Sequence, residues 1–175
     1  MNNTKNAFPD DYAVISSGEF SFLVSGYDFK VFATEAFVAR VRGGVIIDRL
    51  SVAFSDFDPA DLVPRDGRTP LSSEDALDQL ISFIGSDAVI GHNKSSFYKQ
   101  LSSRARNTGI SSFGSYVDTM LFARRVFPDR KHHRLQDISE YLGIDCSNVY
   151  NGTYPYDLPA VAALTVECYE KMKSL

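Results

Sequence analysis

The side chains able to do chemistry are spread thinly along this 175-residue chain, and few of them cluster. Two aspartates each stand at the head of a segment with helical periodicity, Asp118 before Thr119 and Asp157 before Leu158, with Pro159 next. A carboxylate in that place is either a ligand for a hard divalent cation or an N-cap for the helix, and a proline in the first turn is the mark of a helix start. His92 ends a short apolar run and reads as a satisfied strand-end residue, while His132 and His133 have no Cys, Asp or Glu around them at metal-ligand spacing. Arg124, Arg125, Arg130, Lys131 and Arg134 carry five positive charges against Asp129 alone. Such a stripe either holds phosphates or is a solvated helix end, where cations suit the dipole. Tyr150, Tyr154 and Tyr156 could stack on bases or pack over the edge of a core.

Composition narrows the setting. With 44% hydrophobic and 23% charged residues the chain suits one domain over residues 1–175, with an ordered core over about 11–173. No segment approaches the roughly 18 apolar residues of a membrane span, and Met1 to Asp11 lacks the basic-then-apolar layout of a signal peptide. A soluble cytoplasmic protein, with no membrane partner, is expected. The net charge of −4 argues against a generally basic coat, although a local basic stripe can sit within an acidic total. Cys146 and Cys168 are not spaced as zinc ligands, and Cys168 shares a helical face with Val161, Leu164 and Met172, so both read as structural thiols.

These residues must be positioned by strands and helices that the periodicity outlines. Tyr12 to Ile15 is a buried strand that breaks at Ser16-Ser17-Gly18. Ala36–Val41 and Val45–Val52 flank Arg42-Gly43-Gly44 and predict an antiparallel hairpin. Asp56 to Pro70, rich in proline and aspartate, is too broken for regular structure. Leu77, Leu80, Ile81 and Ile84 then fall at helical spacing behind Ser72 and Asp75, and Gly85 ends that helix. A strand at Asp87–Gly91, a helix from Asn93 to about Arg106 and a strand at Ser115–Asp118 follow. Helices at Thr119–Phe127, Arg134–Leu142 and Leu158–Lys173 close the chain. The fold class expected is α/β, a five-stranded mixed sheet flanked by helices on both faces, with the hairpin on one side of the first strand and the two later strands on the other.

Four strings in the right order give this outline a family likeness. Ala88-Val89-Ile90-Gly91-His92-Asn93, Val117-Asp118-Thr119 with Ala123-Arg124-Arg125, His133-Arg134-Leu135 and Leu142-Gly143-Ile144 resemble segments of the DnaQ-type, or DEDD, 3'-5' exonucleases. The likeness covers the chain from about Asp11 onward and implies an RNase H-like fold, as in the DNA polymerase III epsilon subunit. It also implies a chemistry: family members hold two Mg²⁺ or Mn²⁺ ions with four carboxylates, and the ions activate a water and stabilise the leaving 3' oxygen.

Matched to those motifs, this chain is degenerate. Ser16 and Gly18 fall where the first strand carries Asp-x-Glu, Phe97 falls on the second aspartate, and Gly152 falls on the histidine five residues before the last aspartate. Asp157 is the one matching carboxylate, and Thr153 and Tyr154 do not supply the tyrosine of the related subclass. Glu19 and Asp118 are possible substitutes, but Glu19 faces the wrong side of its strand unless a bulge re-aims it. No metal is expected, with Asp157 the ligand if one binds and Mg²⁺ or Mn²⁺ the cofactor if the chain is active.

Three readings follow from the resemblance. The first is an inactive exonuclease-like domain that binds single-stranded nucleic acid or a replication or repair protein, with Arg124, Arg125, Arg130, Lys131 and Arg134 on the phosphates. In the second, an active 3'-5' exonuclease uses Glu19, Asp118 and Asp157, with Asp28 as a fourth ligand. The third keeps only the fold, as a protein-interaction module.

Overall fold

The computed structural model describes residues 8–25, 28–55, 68–111, 113–152 and 156–175, with 19–25 and 28–32 described by backbone alone. Five strands, β1 (Asp11–Ser25), β2 (Asp28–Arg42), β3 (Val45–Ala53), β4 (Ala88–Gly91) and β5 (Tyr116–Asp118), form one sheet in the order β3-β2-β1-β4-β5. The first three pair antiparallel, whereas β4 runs parallel to β1 and β5 parallel to β4. This is the expected mixed sheet, with the hairpin strands on one side of β1 and the later strands on the other.

The helices are α1 (Ser73–Ile84), α2 (Ser95–Asn107), α3 (Thr119–Val126), α4 (Leu135–Leu142) and α5 (Leu158–Lys173). Because strand side chains alternate, β1 divides its residues between two cores. Tyr12 and Val14 join Phe37, Ala39 and Val41 beneath α3, α4 and α5, while Ala13 and Ile15 join Val38 and Val89 beneath α1 and α2. Ser72 caps α1 as its spacing predicts, its hydroxyl accepting from the Asp75 amide at 3.1 Å. Gly114 enters β5 so close to β4 that a Cβ would stand 1.7 Å from the Asp87 carbonyl oxygen, a place only glycine fits. No helix among the described residues is long and apolar enough to cross a membrane.

The main departures from the sequence reading are where β1 ends and where β2 begins. The first strand does not stop at Ser16-Ser17-Gly18; it continues to Ser25 and pairs with a β2 that starts at Asp28. Ser16, Ser17 and Gly18 have weak strand propensity, but Phe37, Ala36 and Glu35 stand opposite them and supply a ladder that overrides it. Between Gly18 and Glu19 the register slips, because Thr34 of β2 has no partner opposite. The extra residue resets the alternation of β2. Ala33 packs in the α1/α2 core, whereas Glu35, two residues on, pairs with Gly18 on the α5 side. Most of the Asp56–Pro70 stretch lies outside the described residues.

Candidate functional site

Parallel strands of an open sheet place their carboxyl ends side by side, and the crevice beyond those ends is where such folds gather ligands. Here β1 and β4 run together up to Ile15 and Gly91. Beyond that point Ser16 is 1% exposed and its hydroxyl donates to the Leu158 carbonyl at 2.8 Å, tying β1 to the first turn of α5. Asp157, the residue before Leu158, is thereby held near Ser16. Gly18 lies under a neighbour's side chain: a Cβ there would be 3.0 Å from Thr34 Oγ1 and 3.2 Å from Glu35 Cγ. Glu35 and Asp157 line one cavity of about 400 Å³ with Arg68 and Tyr156.

The other motif positions are not brought to this cavity. Phe97 on α2 is 1% exposed and packs edge-on against Phe54, in the core on the opposite face of the sheet. Its neighbour Tyr98 has no carboxylate either, and stacks on Tyr116 while its hydroxyl donates to the Gly114 carbonyl at 2.8 Å. Gly152 is exposed at φ +84° and offers no side chain. Asp157 sits at the N-cap of α5 by its backbone, but its carboxylate makes no cap hydrogen bond, contrary to the expectation that it bonds the helix-start amides. Pro159 explains this in part, since it removes one of the two amides an N-cap side chain can reach.

Asp118 is engaged elsewhere. It caps α3, accepting from the Met120 amide at 2.9 Å, and the same oxygen accepts from the Asn93 amide at 3.1 Å. Asn93 has φ +55°, so Asp118 also fastens the tight turn after β4. His92 is tied in beside it. The Thr119 hydroxyl donates to the Gly91 carbonyl at 3.3 Å, which leaves it to accept from His92 Nδ1 at 2.9 Å. Burial pushes the imidazole pKa down to about 4, against a smaller opposing pull from Asp118, so the ring is neutral near pH 7. The His-Asn and Asp-Thr strings that carry the family likeness thus lock the ends of β4 and β5 together. Glu19 pairs with Ala33 and Asp28 begins β2, but their side chains, like Thr153 and Tyr154, lie outside the described residues.

Among the described residues the donor set does not fit two divalent ions. Hard cations need several convergent oxygen ligands. The Ser16 hydroxyl is spent on a carbonyl, Gly18 and Gly152 have no side chain, and Phe97 points into the other core. Asp157 remains, with Glu35 across from Gly18. Among the described residues no group of three or more His, Cys, Asp and Glu converges on one point.

A basic groove leads away from this crevice. Tyr156 is shared between the Glu35–Asp157 cavity and a second hollow of about 360 Å³ lined by His92, Lys94, Tyr150, Met120 and Arg134. Met120 and Arg134 are shared in turn with a third hollow of about 610 Å³ that includes Arg124, Lys131 and His132. Neighbouring hollows thus share lining residues, Tyr156 between the first and second and Met120 and Arg134 between the second and third. Of the basic run, Arg124, Lys131 and Arg134 line it, but Arg125 and Arg130 do not. The Arg130 guanidinium lies 4.7 Å over the Tyr141 ring instead. Arg134 donates twice to Asp137 at 2.8 Å, which holds the Asp137 carboxyl below its ordinary range, yet the arginine side chain stays 75% exposed. Tyr150 and Tyr156 pack edge to face at 5.2 Å, and burial raises the Tyr150 hydroxyl to about 12.

Two residues of the site escape a reading of the sequence. Glu35 falls outside the strand that periodicity marks, and only pairing and the bulge set it over Gly18. Lys94 is an unremarkable position in the turn after His92-Asn93, and its ammonium donates to the Ser17 carbonyl at 2.9 Å, across a long separation in sequence.

No protein-family model matches the chain. The PolC-type DNA polymerase III of Clostridium perfringens is 24% identical over 186 residues, and that of Bacillus cereus 25% identical over 175 residues. These alignments take in 99% and 95% of this chain but only 12% of each polymerase, so the chain spans about an eighth of the curated relatives it matches. Among solved structures, the RNase domain of the yeast Pop2 protein superposes with a TM-score of 0.62 over 94% of this chain and 77% of that one, at 9% identity. Exonuclease X in complex with 5' overhanging duplex DNA superposes with a TM-score of 0.53 over 93% and 92%, at 15% identity. The chain has the DnaQ-like exonuclease fold, within the RNase H-like class.

Proposed function

Starting from a chain with the DnaQ-like exonuclease fold, we propose that it binds single-stranded nucleic acid along the groove from Tyr156 to Lys131 and does not hydrolyse it by two-ion chemistry. The observation that carries this reading is the run of adjacent hollows that share Tyr156, Met120 and Arg134. Tyr156, Lys94, Arg134, Arg124 and Lys131 line these successive hollows, the first of which also holds Glu35 and Asp157. Cations spaced along a track suit successive phosphates, and the exposed Tyr156 ring offers a stacking face that accepts any base. The poor fit of Ser16, Gly18, Phe97 and Gly152 to metal binding supports the absence of hydrolysis. The PolC-type relatives are DNA polymerases by name, which favours DNA and a cytoplasmic replication or repair setting for a single domain of this kind.

Fluorescence anisotropy with a labelled oligothymidylate tests the reading. Binding at low salt should weaken steeply as salt rises, and the double reversal Arg124→Glu with Lys131→Glu should weaken it by at least about tenfold. If there is no low-salt binding, or the reversed protein binds like the parent, the groove does not hold nucleic acid and the interaction-module reading takes its place.

An active nuclease with relocated carboxylates has one observation in its favour, the Glu35 side chain lying over Gly18 in the same cavity as Asp157. Asp118, committed to its cap, is not available to it. Stabilisation by Mn²⁺ that is lost in both Glu35→Gln and Asp157→Asn would support that reading over the inactive one.

A further inference from the structure

We infer that Lys94 supplies, as a built-in ammonium, the positive charge that divalent ions would bring to this crevice, and that it holds a phosphate of the bound strand there. The inference rests on the groove reading above and names the residue at the inner end of that groove. Lys94 is fixed at its backbone from several sides. Asn93 turns the chain at φ +55°, its amide is held by Asp118 at 3.1 Å, and the Lys94 amide is held by the Tyr116 hydroxyl at 2.9 Å. From that anchored turn the side chain crosses from the end of β4 to β1, where Nζ donates to the Ser17 carbonyl at 2.9 Å.

The place of that bond matters. Ser17 is the middle residue of Ser16-Ser17-Gly18, the tripeptide that matches Asp-x-Glu. Because β4 pairs with β1 only as far as Gly91 opposite Ile15, no strand covers the Ser17 carbonyl on that side, and the lysine does. The cation therefore stands against the backbone segment whose side chains would gather the ions in a two-ion site. Asp157 and Glu35 keep two carboxylates at the crevice, so attraction of a phosphate there needs a cation. An ammonium is a compact point charge and restores that attraction without any metal. Lys94 also lines the hollow shared with Tyr156 and Arg134, so a phosphate beside it continues into the basic groove.

The experiment is oligothymidylate binding measured by anisotropy across a salt series, in EDTA and in Mg²⁺ at matched ionic strength. It compares the parent with Lys94→Met, Lys94→Gln, Lys94→Arg and the Arg124→Glu/Lys131→Glu protein. Glutamine keeps a donor for the Ser17 carbonyl but drops the charge, so it separates the electrostatic role from the tether should the methionine variant fold poorly. The parent should bind equally well in EDTA and Mg²⁺. Both neutral variants should bind about tenfold more weakly, with the salt slope shallower by about 0.7, the single-strand value for one phosphate contact, and Lys94→Arg should keep most of the affinity. Two results overturn the inference while leaving the groove intact: folded Lys94→Gln binding with parental affinity and slope while the double reversal weakens binding, or parental binding that needs Mg²⁺. Absence of binding by the parent itself overturns the groove reading and this inference together.

Discussion

The Ser16 hydroxyl donates to the Leu158 carbonyl at 2.8 Å, and this bond ties the middle of β1 to the first turn of α5. Ser16 is 1% exposed, so its hydroxyl has little access to water, while the Leu158 end of the bond is half-buried. Removing one partner of a buried hydrogen bond destabilises more than the bond itself contributes, because the other partner stays desolvated. Ser16→Ala should lower unfolding stability by about 1 to 3 kcal/mol. Ser16→Asp should lower it further at neutral pH, since a carboxylate would face the carbonyl with no proton to offer. Urea unfolding of both variants checks this; an unchanged midpoint for Ser16→Ala would show that the bond does not hold the two elements together.

Rebuilding the four-carboxylate set should destroy the fold before it restores a nuclease. Phe97 fills the α1/α2 core, where truncating a buried phenylalanine to alanine costs roughly 3 to 5 kcal/mol, and an aspartate adds a buried charge. Gly18→Glu puts a Cβ 3.2 Å from Glu35 Cγ, so Glu35 must move and then repels the new carboxylate. Ser16→Asp/Gly18→Glu/Phe97→Asp is expected to show no cooperative melt. A folded triple variant that degrades oligonucleotides with Mn²⁺ would show that the scaffold kept room for the ions.

Asp118 acts on structure through two amides at once. Asp118→Ala frees both the Met120 and the Asn93 N–H groups, and loss of an N-cap side chain alone costs about 1 kcal/mol. The expected loss is nearer 2 kcal/mol, with Asp118→Asn recovering most of it, because an amide oxygen still accepts. If Asn proves as damaging as Ala, charge rather than capping is what the site requires.

The His92 ring makes stability depend on pH with a definite sign. Its pKa falls from 6.5 in the ordinary state to about 4 when folded, so between those values the unfolded chain binds more protons. The stabilisation is fully present above pH 6.5 and is lost progressively as pH falls to about 4, amounting to about 3 kcal/mol. Carboxylates held low by arginines, such as Asp137, lose their contribution only below the ordinary carboxylate range and so act in a more acidic window. Chemical unfolding from pH 7 to 4 should show this slope in the parent and a flatter one in His92→Gln. Equal slopes in the two proteins would place the pH dependence elsewhere.

Local periodicity alone determined the order of strands and helices and the bounds of α5 at Leu158–Lys173. Those features depend on which residues recur every second or every third and fourth position, and the chain carries that record in itself. The resemblance to DnaQ-type exonucleases could likewise be read from Ala88–Asn93 and Val117–Thr119. The tertiary structure decided what depends on partners distant in sequence. It extended β1 through Ser16–Ser25 against β2, turned Glu35 over Gly18 by a bulge at Thr34, and set Lys94 against Ser17. It also sorted the basic run, aiming Arg124, Lys131 and Arg134 into the groove and laying Arg130 on Tyr141. Strand register, a bulge and the facing of loop cations are fixed by contacts between elements, and no single segment holds the information that sets them.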